Sequence, residues 1–442
     1  MRGLTNFGFG ISDFGTRQVH SEIRNPKSAM TTLVVLPTLV LLAWSPLVAA
    51  EVTAGAAKES FALPAGVPLA GYSRRGGKPS HGLHDPVGVR ALVLADEDTT
   101  VALVSGDLLI IDEALFHAVA ERLRAEGLPA DLVLVLAATH THSGPGAYGR
   151  RFFEKISMGH FDPRVFEAIV DATARAVARA WRSRAEARLA TAAGPTDGLV
   201  LNRVEADGPV DADVVVTGVY PVASGQPMAV VVSFAAHPTT LGAWNMELSG
   251  DYPGVVMREI ERRFPSATAL FFAGNVADQG PVKSGDRWER TERIGRVVAD
   301  RAVALVEGLD PQAVSAVSAQ QDVMRLPPAQ LRAGRVAIPR WLGGALVDDD
   351  ATLSVVTAGS TVFFGAPCDL AAGLGARLKA HAREQGLQPQ VLGFVSDYVG
   401  YCVPEALYRK KQYESSMAFN GPKAGEMVTD RLIRMLDATN RQ

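Results

Sequence analysis

Apolar runs of strand length recur along the chain, each followed by a polar turn containing Gly or Pro and then by a segment of helical periodicity. Val101–Ser105 predicts a strand that meets Asp107, a helix over about Glu113–Glu126 follows, and Leu132–Ala137 predicts the next strand. The plan recurs with Met228–Ala235, a helix over about Pro253–Arg263 and Ala267–Phe272. It recurs again with Thr361–Phe364, a helix over about Ala371–Gln385 and Gln390–Val395. Three strand–helix–strand units predict an α/β fold of mixed or parallel sheets flanked by helices. In every unit the residues capable of chemistry fall just past a strand's carboxyl end, where such sheets place their sites. Val89–Leu94, Ala187–Ala192, Val214–Tyr220 and Ala313–Met324 predict further strands. Asp162-Pro163 opens a helix by the cap-then-proline rule, with Phe166, Ile169, Val170, Val177 and Trp181 on one apolar face. Glu426–Asp437 predicts a last helix, whereas the Pro-containing stretch Arg325–Leu342 carries no assignable pattern.

The stretch from Ala138 to Gly146, Ala-Thr-His-Thr-His-Ser-Gly-Pro-Gly, places His140 and His142 on a loop at the end of a buried strand. The two rings are expected to point to opposite sides, so that one imidazole can meet a metal while the other faces substrate or a supporting partner. A bare His-x-His is as readily a strand end with hydrogen-bonded histidines. By residue type, His140, His142, His237, Asp369, Asp107 and Asp278 form a set of nitrogen and oxygen donors suited to zinc. A catalytic zinc keeps a position open beside its protein ligands, so the set points to metal-assisted hydrolysis. No compact His-Glu-x-x-His helix is present.

The 442 residues suffice for one large domain or two lobes. A hydrophobic share of 47% beside 21% charged residues is that of a globular protein. The net charge of -3 leaves no electrostatic footprint for nucleic acid. Residues 1–50 read as a leader: Thr31–Ala50 is almost wholly apolar, follows Arg24 and Lys27 and ends in Val48-Ala49-Ala50. That is the shape of a signal peptide, or of an uncleaved membrane anchor, and it predicts a protein exported to the periplasm or the medium, with Met1 or Met30 as the start. The two cysteines, Cys368 and Cys402, are either a disulfide or two buried thiols.

From the Gly71 loop to Pro422 the chain resembles the neutral/alkaline non-lysosomal ceramidases, zinc amidases that split the N-acyl bond of ceramide. The likeness rests on the Ala138–Gly146 stretch, Asn202-Arg203, His237-Pro238, Asn275-x-x-Asp278-x-x-Pro281, Pro367-Cys368-Asp369, Tyr398–Tyr401, Tyr413-Glu414 and Asn420-Gly421-Pro422. It implies one zinc ion per chain held by His140, His237, Asp369 and Tyr401. It places His142, Arg203 and Tyr413 at the scissile amide, with Asn275, Asp278 and Tyr398 supporting substrate or ligands. It also implies a lipid amide or other N-acyl amide as substrate, with peripheral contact to a membrane. The resemblance covers residues 51–442 as the catalytic domain and not the family's carboxyl-terminal immunoglobulin-like domain.

Two departures shape the expected chemistry. Asp369 stands where the family has a glutamate, one methylene longer, and Gly280 stands where it has a serine sometimes proposed as nucleophile. Without a hydroxyl at 280, attack by activated water is expected, with His142 as general base and Arg203 and Tyr413 as hydrogen-bond donors. Phosphoester or lactone hydrolysis, or a binding protein that has lost catalysis, remain the alternatives. Cys368 and Cys402 adjoin the proposed ligands Asp369 and Tyr401, and neighbours on extended chain point away from each other. They are therefore expected to approach within disulfide range on the far side of the strands and brace the metal site, unless Cys368 itself replaces Asp369 as a soft ligand.

Overall fold

A computed structural model of the chain describes residues 52–333, 336–337 and 349–439. The expected leader at 1–50 lies outside the described residues. The principal elements are β1 (Thr53–Ser60), β2 (Gly88–Ala95), β3 (Thr100–Gly106), α1 (Glu113–Ala125), β4 (Val133–Ala138), α2 (Phe152–Met158), α3 (Pro163–Arg182), β5 (Ala185–Pro195), β6 (Asp213–Pro221) and β7 (Ala229–Phe234). They continue with α4 (Asp251–Arg263), β8 (Thr268–Ala273), α5 (Arg287–Glu307), β9 (Val317–Arg325), β10 (Asp350–Ala358), β11 (Thr361–Gly365), β12 (Asp369–Leu370), α6 (Ala372–Glu384), β13 (Gln388–Leu392), β14 (Tyr401–Cys402) and α7 (Ala424–Thr439).

The larger sheet runs in the order β8-β7-β6-β5-β1-β2-β3-β4, and the smaller in the order β9-β10-β11-β13. All three predicted strand–helix–strand units close as parallel pairs, β3 with β4, β7 with β8 and β11 with β13. The connecting pairs, β1–β2, β2–β3, β5–β6, β6–β7, β9–β10 and β10–β11, are antiparallel, so both sheets are mixed.

The continuous apolar runs are explained by burial on both strand faces. Along β8, Ala269 and Phe271 pack into one cluster beneath α4 and α5, while Leu270 and Phe272 point the other way. There they meet Val356, Phe363 and Leu392 of the smaller sheet. Helix α3 begins as expected, with Pro163 in its first turn and the Asp162 carboxylate accepting from Arg164 N–H. It covers β1 and β2 and packs against α1, and α6 and α7 cover the outer face of the smaller sheet. The result is two sheets packed face to face with helices outside each. Among the described residues no helix is long and apolar enough to cross a membrane.

Candidate active site

The strand ends converge. His140 follows β4, His237 follows β7, and Asp369 lies a few residues beyond β11. The rings of His140 and His142 do not part as expected. A spacing of two returns side chains to the same side of the chain, and with His140 at φ 61° both rings turn into the same gap. The Nε2 atoms of His140 and His237 are 3.0 Å apart, those of His142 and His237 3.1 Å, and those of His140 and His142 3.3 Å.

Hydrogen bonds at the opposite ring atoms decide which proton each imidazole carries. His140 Nδ1–H donates to Leu109 O at 2.6 Å and His237 Nδ1–H to Val276 O at 3.3 Å, which leaves both Nε2 atoms as bare lone pairs facing each other. The Nδ1 of His142 meets no partner among the described residues, and this ring is only half-buried. Burial holds the His140 imidazole down to about 3, with Arg203 acting in the same direction, and burial also holds His142 and His237 well below the ordinary histidine value. Neutral nitrogens converging at this spacing are unstable without a cation between them. Tetrahedral zinc–nitrogen bonds place nitrogens about 3.3 Å apart, close to what is seen. The donor set therefore fits a metal ion, and His140, His142 and His237 are the residues whose ligand atoms gather.

Asp369 completes the gap from the side. Its Oδ2 accepts from the Tyr398 hydroxyl at 2.9 Å, while Oδ1, fully buried, has no hydrogen-bond partner among the described residues. Oδ1 lies 3.7 Å from His140 Nε2 and 3.7 Å from His237 Nδ1. Burial raises the carboxyl to about 7, against the lowering effect of the Tyr398 bond and of Arg203. A buried carboxylate oxygen with no hydrogen-bond partner among the described residues, beside the imidazoles of His140 and His237, is suited to meet a cation.

On the substrate side, Arg203 Nη2 donates to the Tyr401 hydroxyl at 3.0 Å and to Ala277 O at 2.6 Å, and its Nε lies 3.2 Å from Glu414 Oε1. The guanidinium is thus aimed by a carboxylate and a carbonyl. Tyr413, largely exposed, sets its ring edge-on to Tyr401 at 6.0 Å. Tyr398, Tyr401 and Tyr413, with His140 and His142, line a cavity of about 180 Å³ whose wall is apolar at Leu109, Ile110, Met417 and Phe419 and polar at Arg151, Glu154 and Ser157.

Other sequence candidates take supporting places. Asp278 receives Ala372 N–H at the start of α6 and, more distantly, the Asn202 amide, while its backbone carbonyl accepts from Arg203 N–H. Asn275 is fully buried against Gly375, and its carbonyl accepts from Gln279. Asp107 lies elsewhere, bound to Gly88 N–H and Arg90, which removes it from the donor set read by residue type. Cys368 packs into the apolar cluster beneath α6 and α7 and not into the gap, so it does not replace Asp369. Both cysteines are free thiols.

Three contributors escaped the sequence reading. Phe394, itself at φ 58°, stacks on His140 at 3.8 Å. Gly71 lies at φ 102°, and a Cβ there would stand 2.7 Å from ring atoms of His142. The buried Arg75 guanidinium donates to the carbonyls of His142 (2.6 Å), Ala70 (2.7 Å), Asn245 (2.9 Å) and Gly242 (3.3 Å), tying three loops around the site. The available signal was the arginine-and-glycine loop Gly71–Gly76, which names no partner by itself.

Comparison with known proteins agrees with this architecture. The chain is 28% identical over 254 residues to the neutral ceramidase of Pseudomonas aeruginosa, covering 52% of this chain and 38% of that one. It is 26% identical over 271 residues to the neutral ceramidase of Mycobacterium tuberculosis, covering 52% and 42%. The chain thus spans about two fifths of the length of these curated relatives. The crystal structure of the Pseudomonas aeruginosa neutral ceramidase superposes with a TM-score of 0.78 at 20% identity, over 89% of this chain and 75% of that one, a likeness of fold. Residues 62–287, just over half of the 442, match the family described as neutral/alkaline non-lysosomal ceramidase, N-terminal. With that match beside the strand order and the converging histidines, the chain belongs to the neutral/alkaline non-lysosomal ceramidase family.

Proposed function

We propose that this protein is a metal-dependent hydrolase of N-acyl amide bonds, with a ceramide-type lipid amide as substrate and zinc as its metal. Residues 51–442 would form the catalytic domain, and the apolar run 31–50 would direct export, leaving the enzyme to meet its substrate at a membrane surface. The observation that carries the reading is the meeting of unprotonated imidazoles beside an unpartnered carboxylate oxygen, with His140 and His142 lining a cavity whose wall is partly apolar.

His140 and His237 would hold the ion, because each is buried and has its other ring nitrogen fixed by a backbone carbonyl, the usual support of a ligating histidine. Asp369 Oδ1 and the Tyr401 hydroxyl would supply oxygen. When bound, zinc supplies Lewis acidity that polarises a carbonyl and acidifies water near neutral pH. His142 is the half-buried one of the three imidazoles and lines the cavity, which suits it to accept the proton of attacking water and return it to the departing amine. Arg203, braced by Glu414 and Ala277, would stabilise the negative charge that develops on the amide oxygen, assisted by Tyr413 at the rim. Tyr398 would keep Asp369 oriented, and Asn275 and Asp278 would support the turn that carries the His237 and Arg203 partners. Gly280 leaves open space 3.8 Å from the Arg203 side chain, so a hydroxyl from this position takes no part.

The test is hydrolysis of an N-acylsphingosine by the purified full chain, beside a phosphoester and a lactone, with zinc measured per chain. Amide cleavage abolished by a chelator and restored by zinc is expected. Cleavage of the phosphoester or lactone alone would transfer the site to those reactions, and a zinc-loaded protein inert to all three would make it a binding protein.

A further inference from the structure

Cys368 and Cys402 are the two cysteines of the chain, and each immediately adjoins a residue of the site, Asp369 and Tyr401. The strands that carry them, β12 and β14, pair in parallel with Asp369 opposite Tyr401 and Leu370 opposite Cys402. Alternation then turns Asp369 and Tyr401 to one face and Cys368, Leu370 and Cys402 to the other, and these last three do pack in one apolar cluster. The two thiols are 0% and 1% exposed and pack in that same cluster, where burial first and then the neighbouring Cys402 push the Cys368 thiol well above its ordinary value. The ladder itself is minimal. Asp369 N–H donates to Gly400 O at 3.1 Å and Ala371 N–H to Cys402 O at 3.0 Å, and a two-residue pair of strands is marginal without further support.

We propose that Cys368 and Cys402 are a cross-linking site: they close a disulfide as the chain folds in an oxidising compartment, and that bond braces the strands presenting Asp369 and Tyr401. The oxidant is a disulfide of the thiol-exchange class. Its S–S bond breaks as the Sγ–Sγ bond forms; two electrons pass from the cysteines to the oxidant, and the two thiol protons end on its released sulfurs. Because both sulfurs lie in the apolar core, exchange takes place before that core closes over them. The cross-link is independent of the reaction at the site, since neither sulfur faces the gap.

The experiment refolds the full chain from denaturant in oxidised glutathione and, separately, with a reductant. The expected oxidised product is a monomer two mass units lighter than the reduced one (about 2 Da, two protons lost) with no thiol titratable in denaturant. Two thiols remaining after oxidative refolding, or cross-linked dimers in place of the monomer, would overturn the cross-link. Bracing is read by hydrogen exchange at Asp369 N–H and Ala371 N–H in the two wild-type forms. Exchange slowed by about tenfold on oxidation is expected, and equal rates would overturn it. Neither readout uses amide hydrolysis or bound metal, so a failed ceramide assay and a failed cross-link are separate results.

Discussion

The two halves of the candidate metal centre are built differently. The nitrogen half comes from the ends of long, parallel, doubly buried strands, β4 beside β3 and β7 beside β8, where six consecutive residue pairs fix each register. The oxygen half comes from β12 and β14, two residues each, beyond the end of the smaller sheet. His140 and His237 are further pinned by carbonyl bonds at Nδ1, and Phe394 stacks on His140. Asp369 has one bond, from Tyr398, and an oxygen left over. The contrast teaches that the sheets set where a cation sits, while the short ladder sets how the remaining shell and the substrate-side groups adjust around it.

If so, removing a nitrogen donor should be the most damaging change. His140→Ala or His237→Ala is expected to lower zinc affinity on the order of a thousandfold or more and to abolish hydrolysis with it. Metal titration against a chromophoric chelator checks this. Retention of tight zinc by either variant would break the assignment of the sheet ends as the metal's foundation.

His142 sharpens the comparison because it sits in the nitrogen half without that half's second anchor. His142→Gln is expected to keep about one zinc per chain and to lower kcat by about 10²-fold or more, as loss of a general base does. Zinc lost along with activity would instead make all three imidazoles ligands. The spacings of 3.0 to 3.3 Å would allow that outcome, so the metal content of this one variant separates the two roles.

The same histidines should make the metal-free protein sensitive to acid. Burial depresses them in the folded state, to about 3 for His140, while an unfolded histidine titrates near 6.5. The unfolded chain therefore binds more protons below that value, and stability present above it is lost as pH falls toward the folded value. For His140 alone the loss between pH 6.5 and 5 is about 2 kcal/mol, and His237 acts in the same direction. Urea unfolding of chelator-treated protein at a series of pH values checks the sign. A flat profile would mean the rings are charged or mobile without metal.

Legibility from sequence followed the same division. Strand–helix–strand units, their parallel closure and the delivery of His140 and His237 to strand ends were readable because burial on both faces writes continuous apolar runs and sites follow carboxyl ends. The left-handed turn at His140 was not. Its φ of 61° is a non-glycine exception, and the two rings share one gap because side chains two residues apart return to the same side, which the expected parting overlooked. Helix α5 and strand β10 were missed altogether. Much of α5 is charged, and a buried face resting on α4 is not announced by composition, although Gly295 approaches Val255 closely there. Arg75 was not singled out, since a bond to carbonyls of two distant segments, at His142 and at Gly242 and Asn245, cannot be read from its own glycine loop. Asp107 was a donor by residue type only; Arg90 on the neighbouring strand claims it.

The smallest effect should come from the oxygen half. Asp369→Asn keeps a side chain of the same shape that can still accept from Tyr398, but it removes the charge of the unpartnered oxygen, so the pocket should stay folded and bind zinc more weakly. A loss of about tenfold in zinc affinity is expected, the scale of tuning by a group that completes a shell without founding it. The amide oxygen is a poorer donor to zinc than a carboxylate, and Arg203 would lose one of the anions that favour its charge. A loss as large as that of His140→Ala would erase the proposed difference between the halves and place Asp369 on an equal footing with the histidines. The minimal ladder would then be holding a primary ligand, and the rigidity of β12 and β14 would matter as much as that of the long strands.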